Sequence, residues 1–248
     1  MRAEPSEVYL SDIDSQRFGI PIARVAWMTH EVLPATLKFC RENRVRLLMT
    51  KCDAQATSTI QALEQDGFLF MEAINVYERN VVKQPIPADK GEIIVRSATA
   101  AEADAIAAVG GEAFHGYPSH YRSDPRLDPA KSDEIYVDWV RRSCLSREVA
   151  DVVLVAEVEG APVGIFTIKM NEPKEADTGL AGVIPRVRRH GVLEALIIAA
   201  LRWAKAEGAE HLLGFMQMNN IAVLRVTIRL GFFPRSSFFT FHKWFDPE

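Results

Sequence analysis

The sequence predicts an α/β protein: a mixed central sheet with helices on both faces, preceded by a smaller α/β half-domain. Three observations carry that expectation. From Ile93 onward, apolar strand-like runs alternate with amphipathic helical stretches. A polar segment with two prolines, Lys83-Gln84-Pro85-Ile86-Pro87-Ala88-Asp89-Lys90-Gly91, separates that region from what precedes it. Gly67-Phe68 and Gly231-Phe232 each follow a helix-like stretch, with a leucine nineteen residues ahead (Leu48, Leu212) and an aromatic ten residues behind (Tyr77, Phe241). Residues 45–79 therefore read as a second copy of the strand–helix–strand unit at 211–244. The expected organisation is a half-domain at 1–82, a linker at 83–91 and a main domain at 92–248.

Each element follows from local chemistry. Branched residues at 93–96 form a strand, and Thr99 caps a helix over 100–114 with Glu102 in its first turn. After an irregular stretch at 115–129 comes a helix near 131–143. Strands at 152–158 and 161–168 flank Glu159-Gly160, a hairpin signal. A short strand at 179–184 then meets Pro185 and the basic turn Arg186-Val187-Arg188-Arg189-His190-Gly191. The helix that follows, 192–205, places Leu193, Leu196, Ile197, Ala200, Leu201 and Ala204 on one face. A strand at 211–216, a helix at 221–230 and an aromatic strand pair around 238–244 complete the chain.

Composition narrows the classes of function. Of 248 residues, 48% are hydrophobic and 25% charged, the balance of an ordinary globular protein. The net charge of -4 excludes a general basic field for nucleic acid. Cys40, Cys52 and Cys144 are too widely spaced for a zinc site and point to a reducing cytoplasm. No apolar leader is visible, and the apolar run at 196–201 is far short of the roughly 20 residues of a membrane span. The expectation is a cytoplasmic protein with no membrane, nucleic-acid or metal partner.

The basic turn is the pointed feature. A strand, a glycine-bearing turn and a helix N-terminus gather unpaired N–H groups at the positive end of a helix dipole, which suits a phosphorylated ligand. The bland alternative is a helix start with surface arginines. His115 and His120, in the irregular stretch with Tyr117 and Tyr121, are candidate bases, or simply loop residues. His242, in the last strand, reads as structural.

Arg188-x-x-Gly191 after a strand resembles the acyl-CoA motif of the GCN5-related N-acetyltransferase (GNAT) superfamily. The run from Asn220 to Phe232 is similar to that family's Asn-x-Ala-Ala…Gly-Phe helix. Arg122-Ser123-Asp124-Pro125-Arg126 with Asp133 to Trp139 resembles its TDP-fucosamine acetyltransferase group. The resemblance implies acetyl-CoA as the acyl donor, Val183 on the strand that meets the pantetheine arm, and Arg188, Arg189, His190, Gly191, Val192 and Leu193 around the pyrophosphate. It also implies Asn220 beside the pantetheine and Thr227 where the family has its tyrosine acid, with His120 or a water as base. The implied acceptor is the amine of a TDP-linked amino-dideoxy sugar. Leu193 stands where the family has Gly or Ala, and threonine is too weak an acid to replace tyrosine directly. An acyl-CoA binder with no N-acetyltransferase activity, or with different acyl chemistry, therefore stays open. So does a dimerising module built on the aromatic residues Phe238, Phe239, Phe241, Trp244 and Phe245, as does pairing of two copies.

Overall fold

Strand and helix periods translate into a regular succession, seen in a computed structural model that describes residues 7–88, 91 and 93–245. The chain begins with β1 (Tyr9–Leu10), α1 (Asp12–Phe18), β2 (Ile22–Val25), α2 (Leu33–Glu42), β3 (Leu47–Asp53), α3 (Thr57–Gln65) and β4 (Leu69–Asn80). It continues with β5 (Ile94–Ser97), α4 (Ala103–Phe114), α5 (His120–Ser123), α6 (Pro129–Leu145), β6 (Val152–Val158), β7 (Ala161–Glu172) and β8 (Glu175–Val183). Last come α7 (Val192–Ala206), β9 (His211–Gln217), α8 (Ile221–Arg229) and β10 (Phe233–Trp244).

These elements form two compact units. The first is Met1–Asn75, Pro118–Ser132 and Ser236–Glu248; the second is Val76–Tyr117 and Asp133–Arg235. The division differs from the linear one expected at 83–91. The chain changes unit in the middle of β4, and two later segments return to the first. A twelve-residue strand at about 3.3 Å per residue is long enough to serve two cores, and composition reveals linkers but not strands of that kind. Residues 89, 90 and 92 lie outside the described residues.

In the first unit the strand order is β1-β2-β3-β10, with the first half of β4 beyond β10. β2 runs parallel to β3, and β10 runs antiparallel to it from Phe238↔Asp53 to Trp244↔Leu47. Alternation then sorts the side chains. Ala23, Val25, Leu48, Cys52 and Phe241 join Leu33 and Cys40 of α2 and Leu63 of α3 in one core. Burial pushes the Cys40 and Cys52 thiols up to about 12 and about 11, so both pack as inert apolar groups. Arg24, Lys51, Thr240 and His242 share the opposite face. The expected strand pair around 238–244 is a single strand, because Pro234 falls near its start where the missing N–H is tolerated. Phe238 and Phe241 are 5% and 2% exposed and pack within this unit, whereas Phe239, Trp244 and Phe245 are half-buried.

In the second unit β5-β6-β7-β8-β9 follow in order, with the second half of β4 beyond β9. β5 to β8 pair antiparallel, and β8 meets β9 in parallel. Helices cover both faces. A Cβ on Gly182 would fall 2.8 Å from Phe114 of α4, and one on Gly164 would fall 3.1 Å from Val192 and Leu196 of α7. Gly164 is paired with Val183, so Gly164 and Gly182 face opposite ways. α6 closes on α4 at Gly110, where a Cβ would meet Val140 at 2.7 Å. Leu196, Ile197, Ala200, Leu201 and Ala204 all lie in the core, as their spacing requires.

The two copies seen in the sequence share one local geometry. Gly67 (φ 73°) and Gly231 (φ 80°) close α3 and α8 in the left-handed region. Phe68 N–H donates to Leu63 C=O at 2.9 Å, and Phe232 N–H to Thr227 C=O at 3.2 Å, the same cap in both. Leu63 and Thr227 thus occupy equivalent places. Neither glycine is crowded, so Gly67→Ala and Gly231→Ala should each lower stability by about 1–2 kcal/mol through backbone strain alone. Urea denaturation measures this, and two unchanged midpoints would rule out strain at the cap.

Candidate functional site

The site begins where β8 ends. Past Ile184, Pro185–Val187 makes one 3-10 turn, and Arg189 (φ 70°) and Gly191 (φ 83°) then take left-handed conformations. That path leads into α7 with the N–H groups of Arg189, His190, Gly191, Val192 and Leu193 lacking a main-chain acceptor among the described residues. Successive free N–H groups at a helix N-terminus form an anion cradle. Arg189 and His190 are exposed around it, Val192 is buried beneath it, and Leu193 turns into the core.

Arg188 has another task. Its Nε donates to Val183 C=O at 3.0 Å and its Nη2 to Ala113 C=O at 2.9 Å, fixing the turn to the end of β8 and the last turn of α4. It shapes the cradle while its side chain stays exposed.

Beside the turn, β8 and β9 part. Their ladder holds at Glu175↔His211, Ala176↔Leu212 and Asp177↔Leu213 and goes no further, while β8 runs on to Val183. The parting coincides with a bulge. The β7 register jumps from Phe166↔Ala181 to Ile168↔Thr178, and the displaced Leu180 N–H donates to Thr167 Oγ1 at 2.7 Å. A Cβ on Gly179 would sit 2.6 Å from that oxygen. The free stretch of β8 offers main-chain groups to an extended ligand, although the Ile184 N–H is already used by Val163 C=O at 3.0 Å. Phe215 and Met218 at the end of β9 and Ile221 of α8 are exposed apolar groups. Asn220 caps α8, its Oδ1 accepting from Val223 N–H at 3.3 Å, which leaves its Nδ2 without a partner among the described residues.

Thr227 is 1% exposed, and its buried Oγ1 has no hydrogen-bond partner. It fills the slot that Leu63 fills in the first copy. His120 belongs to the first unit, not to the unit that holds the turn. Its Nδ1 lies 3.0 Å from His242 Nε2, and His242 Nδ1 lies 2.7 Å from Asp124 Oδ2. Burial, then His242, Arg24 and Lys51, hold the His120 ring well below the ordinary imidazole range. His115 is largely exposed, with Nδ1 3.1 Å from Asp133 Oδ2. Asp124 and the role of His242 escaped the sequence reading. Alternation puts His242 on the face of Thr240 and Phe238, but only the fold brings residues 120 and 124 to it.

A cleft of about 450 Å³ lined by Ser97, Cys144, Arg147, Asp151 and Trp203 holds none of these residues. Among the described residues no His/Cys/Asp/Glu group is placed to hold a metal, and no helix is long and apolar enough to cross a membrane.

Residues 116–232 match the Acetyltransferase (GNAT) family. A solved GCN5-related N-acetyltransferase from Sphaerobacter thermophilus superposes with a TM-score of 0.67 over 97% of this chain and 76% of that one, at 16% identity. The chain has the GNAT fold. The spore coat polysaccharide biosynthesis protein SpsD of Bacillus subtilis (strain 168) is 24% identical over 126 residues, 51% of this chain and 43% of SpsD. The mycothiol acetyltransferase of Amycolatopsis mediterranei (strain U-32) is 26% identical over 137 residues, 52% of this chain and 42% of that enzyme. Each match thus spans less than half of the relative. Within the GNAT fold of this chain, the β8 bulge, the parting from β9 and the Arg189–Leu193 cradle form one continuous feature.

Two substitutions test it. Gly191→Ala forces a side chain into φ 83° and should weaken acetyl-CoA binding about tenfold by calorimetry, since that amounts to about 1.4 kcal/mol. Unchanged affinity would place the ligand elsewhere. Thr227→Val removes an orphaned hydroxyl whose burial costs about 1–3 kcal/mol, so the urea midpoint should hold or rise. A lower midpoint would show that the hydroxyl has a partner.

Proposed function

We propose that the protein transfers an acetyl group from acetyl-CoA to the amine of a small molecule, of the class of nucleotide-linked amino-dideoxy sugars. The observation that carries the donor half is the row of unpaired N–H groups from Arg189 to Leu193, opening α7 beside a strand edge free of β9. The cradle would take the pyrophosphate and the free edge the pantetheine arm. The match to the acetyltransferase family over residues 116–232 supports the same reading.

The acceptor half rests on the residues from Arg122 to Trp139 and on a relative described as a polysaccharide biosynthesis protein. The amine would attack the thioester carbon directly after losing its ammonium proton to a base, for which the sequence offers His120 or a water. Proximity and a main-chain N–H donor to the developing oxyanion would supply the larger part of the acceleration. CoA thiolate leaves without strong acid help, so a proton from water suffices where the family tyrosine is missing.

The sealed Thr227 favours a second reading, an acyl-CoA-binding GNAT fold without N-acetylation. One experiment separates them. Acetyl-CoA at a hundred times its Kd should stabilise the chain by about 2.7 kcal/mol, and a panel of TDP-amino sugars should then release free thiol. Stabilisation without thiol release for any amine would select the second reading. No stabilisation at millimolar acetyl-CoA would overturn both.

A further inference from the structure

Inside the second unit, the end of β4 is tied to the segment that follows it by two side chains whose hydrogen-bond roles can be assigned. Asn80 Oδ1 accepts from Val82 N–H at 3.0 Å and from Lys83 N–H at 2.6 Å. Main-chain nitrogens only donate, so the amide oxygen faces this segment and Nδ2 faces away from it. There Nδ2 lies 3.3 Å from His211 Nε2, at the start of β9. The amide nitrogen has no lone pair to offer, so His211 Nε2 is the acceptor and the ring proton sits on Nδ1. That Nδ1–H is buried without a hydrogen-bond partner, with Glu78 Oε2 3.6 Å away. Geometry alone makes the assignment, because an imidazolium would set a second donor against Asn80 Nδ2.

We propose that Asn80 and His211 form an acid-sensitive latch on segment 81–88. With His211 neutral, the latch is closed. When Nε2 takes a proton from water, two donors face each other across the former bond. The amide can meet the new N–H only by turning Oδ1 towards it. That oxygen then leaves the Val82 and Lys83 N–H groups, and the start of the segment is freed. The latch needs no ligand and is independent of the transfer reaction proposed above.

The rest of the segment is held by few bonds. Val81 N–H donates to Glu210 C=O at 2.9 Å, and Pro85 C=O accepts from Arg79 Nη2 at 2.6 Å. Arg79, 3% exposed, also donates to the Leu230 carbonyl at the end of α8. Its Nε and Gln84 Oε1 are both buried without a partner, so the closed segment leaves a donor and an acceptor unsatisfied. The charged groups around His211 are Glu78 on β4, Glu175 on β8, Arg235 on β10, Lys174 and Glu210 just ahead of β8 and β9, and Lys83 on the segment itself. Glu78 favours the imidazolium. Arg235 already draws on that carboxylate at 3.3 Å and on Glu175 at 2.9 Å, while Lys174 pairs with Glu210 at 2.6 Å. Each carboxylate around the ring thus has a cation already, and the imidazolium gains little to offset the lost bond.

The test is amide hydrogen exchange of the full chain, compared as protection factors so that the intrinsic pH dependence of exchange cancels. Imidazoles take up a proton between about pH 8 and about pH 5, and over that range protection at Val82 and Lys83 should fall about tenfold. The fall should follow the His211 ring as read from its ¹⁵N resonances, which at the upper end of the range should show the Nδ1–H tautomer. Asn80→Asp keeps acceptors for both amides and gives the imidazolium an oxygen as well, so its protection should hold on acidification. His211→Gln, with no proton to take up, should also give a flat profile. An Nε2–H tautomer at the upper end, protection that does not follow the ring, or a wild-type profile in Asn80→Asp would overturn the latch.

Discussion

The bond from Leu180 N–H to Thr167 Oγ1 is the constraint on which the junction of β8 with α7 depends. A bulge leaves one main-chain donor out of the ladder, and a buried donor without an acceptor costs about 1–3 kcal/mol. The threonine hydroxyl satisfies it from inside β7. Gly179 is demanded by the same contact, since no side chain fits against that oxygen. With the bulge accommodated, β8 can leave β9 after Asp177 and still end in register with Gly164. The unpaired edge, the Pro185 turn and the start of α7 follow in sequence from that departure.

Main-chain groups rather than side chains dominate the cradle. Arg188, the most conspicuous residue of the turn, is committed to two carbonyls, and Leu193 is committed to the core. What remains available is a row of N–H groups held by two left-handed residues, Arg189 and Gly191. Such a surface suits phosphate oxygens because it presents several donors at fixed spacing with little side-chain entropy to lose. The cost is backbone strain at Arg189, where a non-glycine residue adopts a positive φ.

The first unit answers a different physical problem. Its sheet buries one face in an apolar core and gives the other to Arg24, Lys51, Thr240 and His242. Buried polar groups on that face are paired, Asp14 with Arg24, Ser11 and Tyr121, and Asp124 with His242, Trp244 and Arg126, while Lys51 is exposed. His120 closes the second of these networks with one nitrogen and keeps the other open. That asymmetry distinguishes it from His115, which is exposed beside Asp133, and from His242, which is wholly enclosed.

The sequence by itself determined the parts that depend on neighbours along the chain. The apolar stripe of α7, the Glu159-Gly160 hairpin, the Thr99 cap and the paired Gly-Phe turns were all legible, because period, capping and left-handed conformations are local properties. So was the strand–turn–helix junction with its candidate cradle. Tertiary structure alone decided how those parts were used. Thr227 read as a stand-in for a tyrosine because it sits at the right offset in a motif, but its burial in a slot equivalent to Leu63 depends on what packs over α8. The unit boundary escaped because β4 crosses it without a break in composition. The contacts of Asp124, His242 and His120 span 122 residues of chain and exist only because β10 pairs with β3 and the segment around α5 returns to that face. Hydrogen-bond direction is a property of partners, and partners that distant are set by the fold.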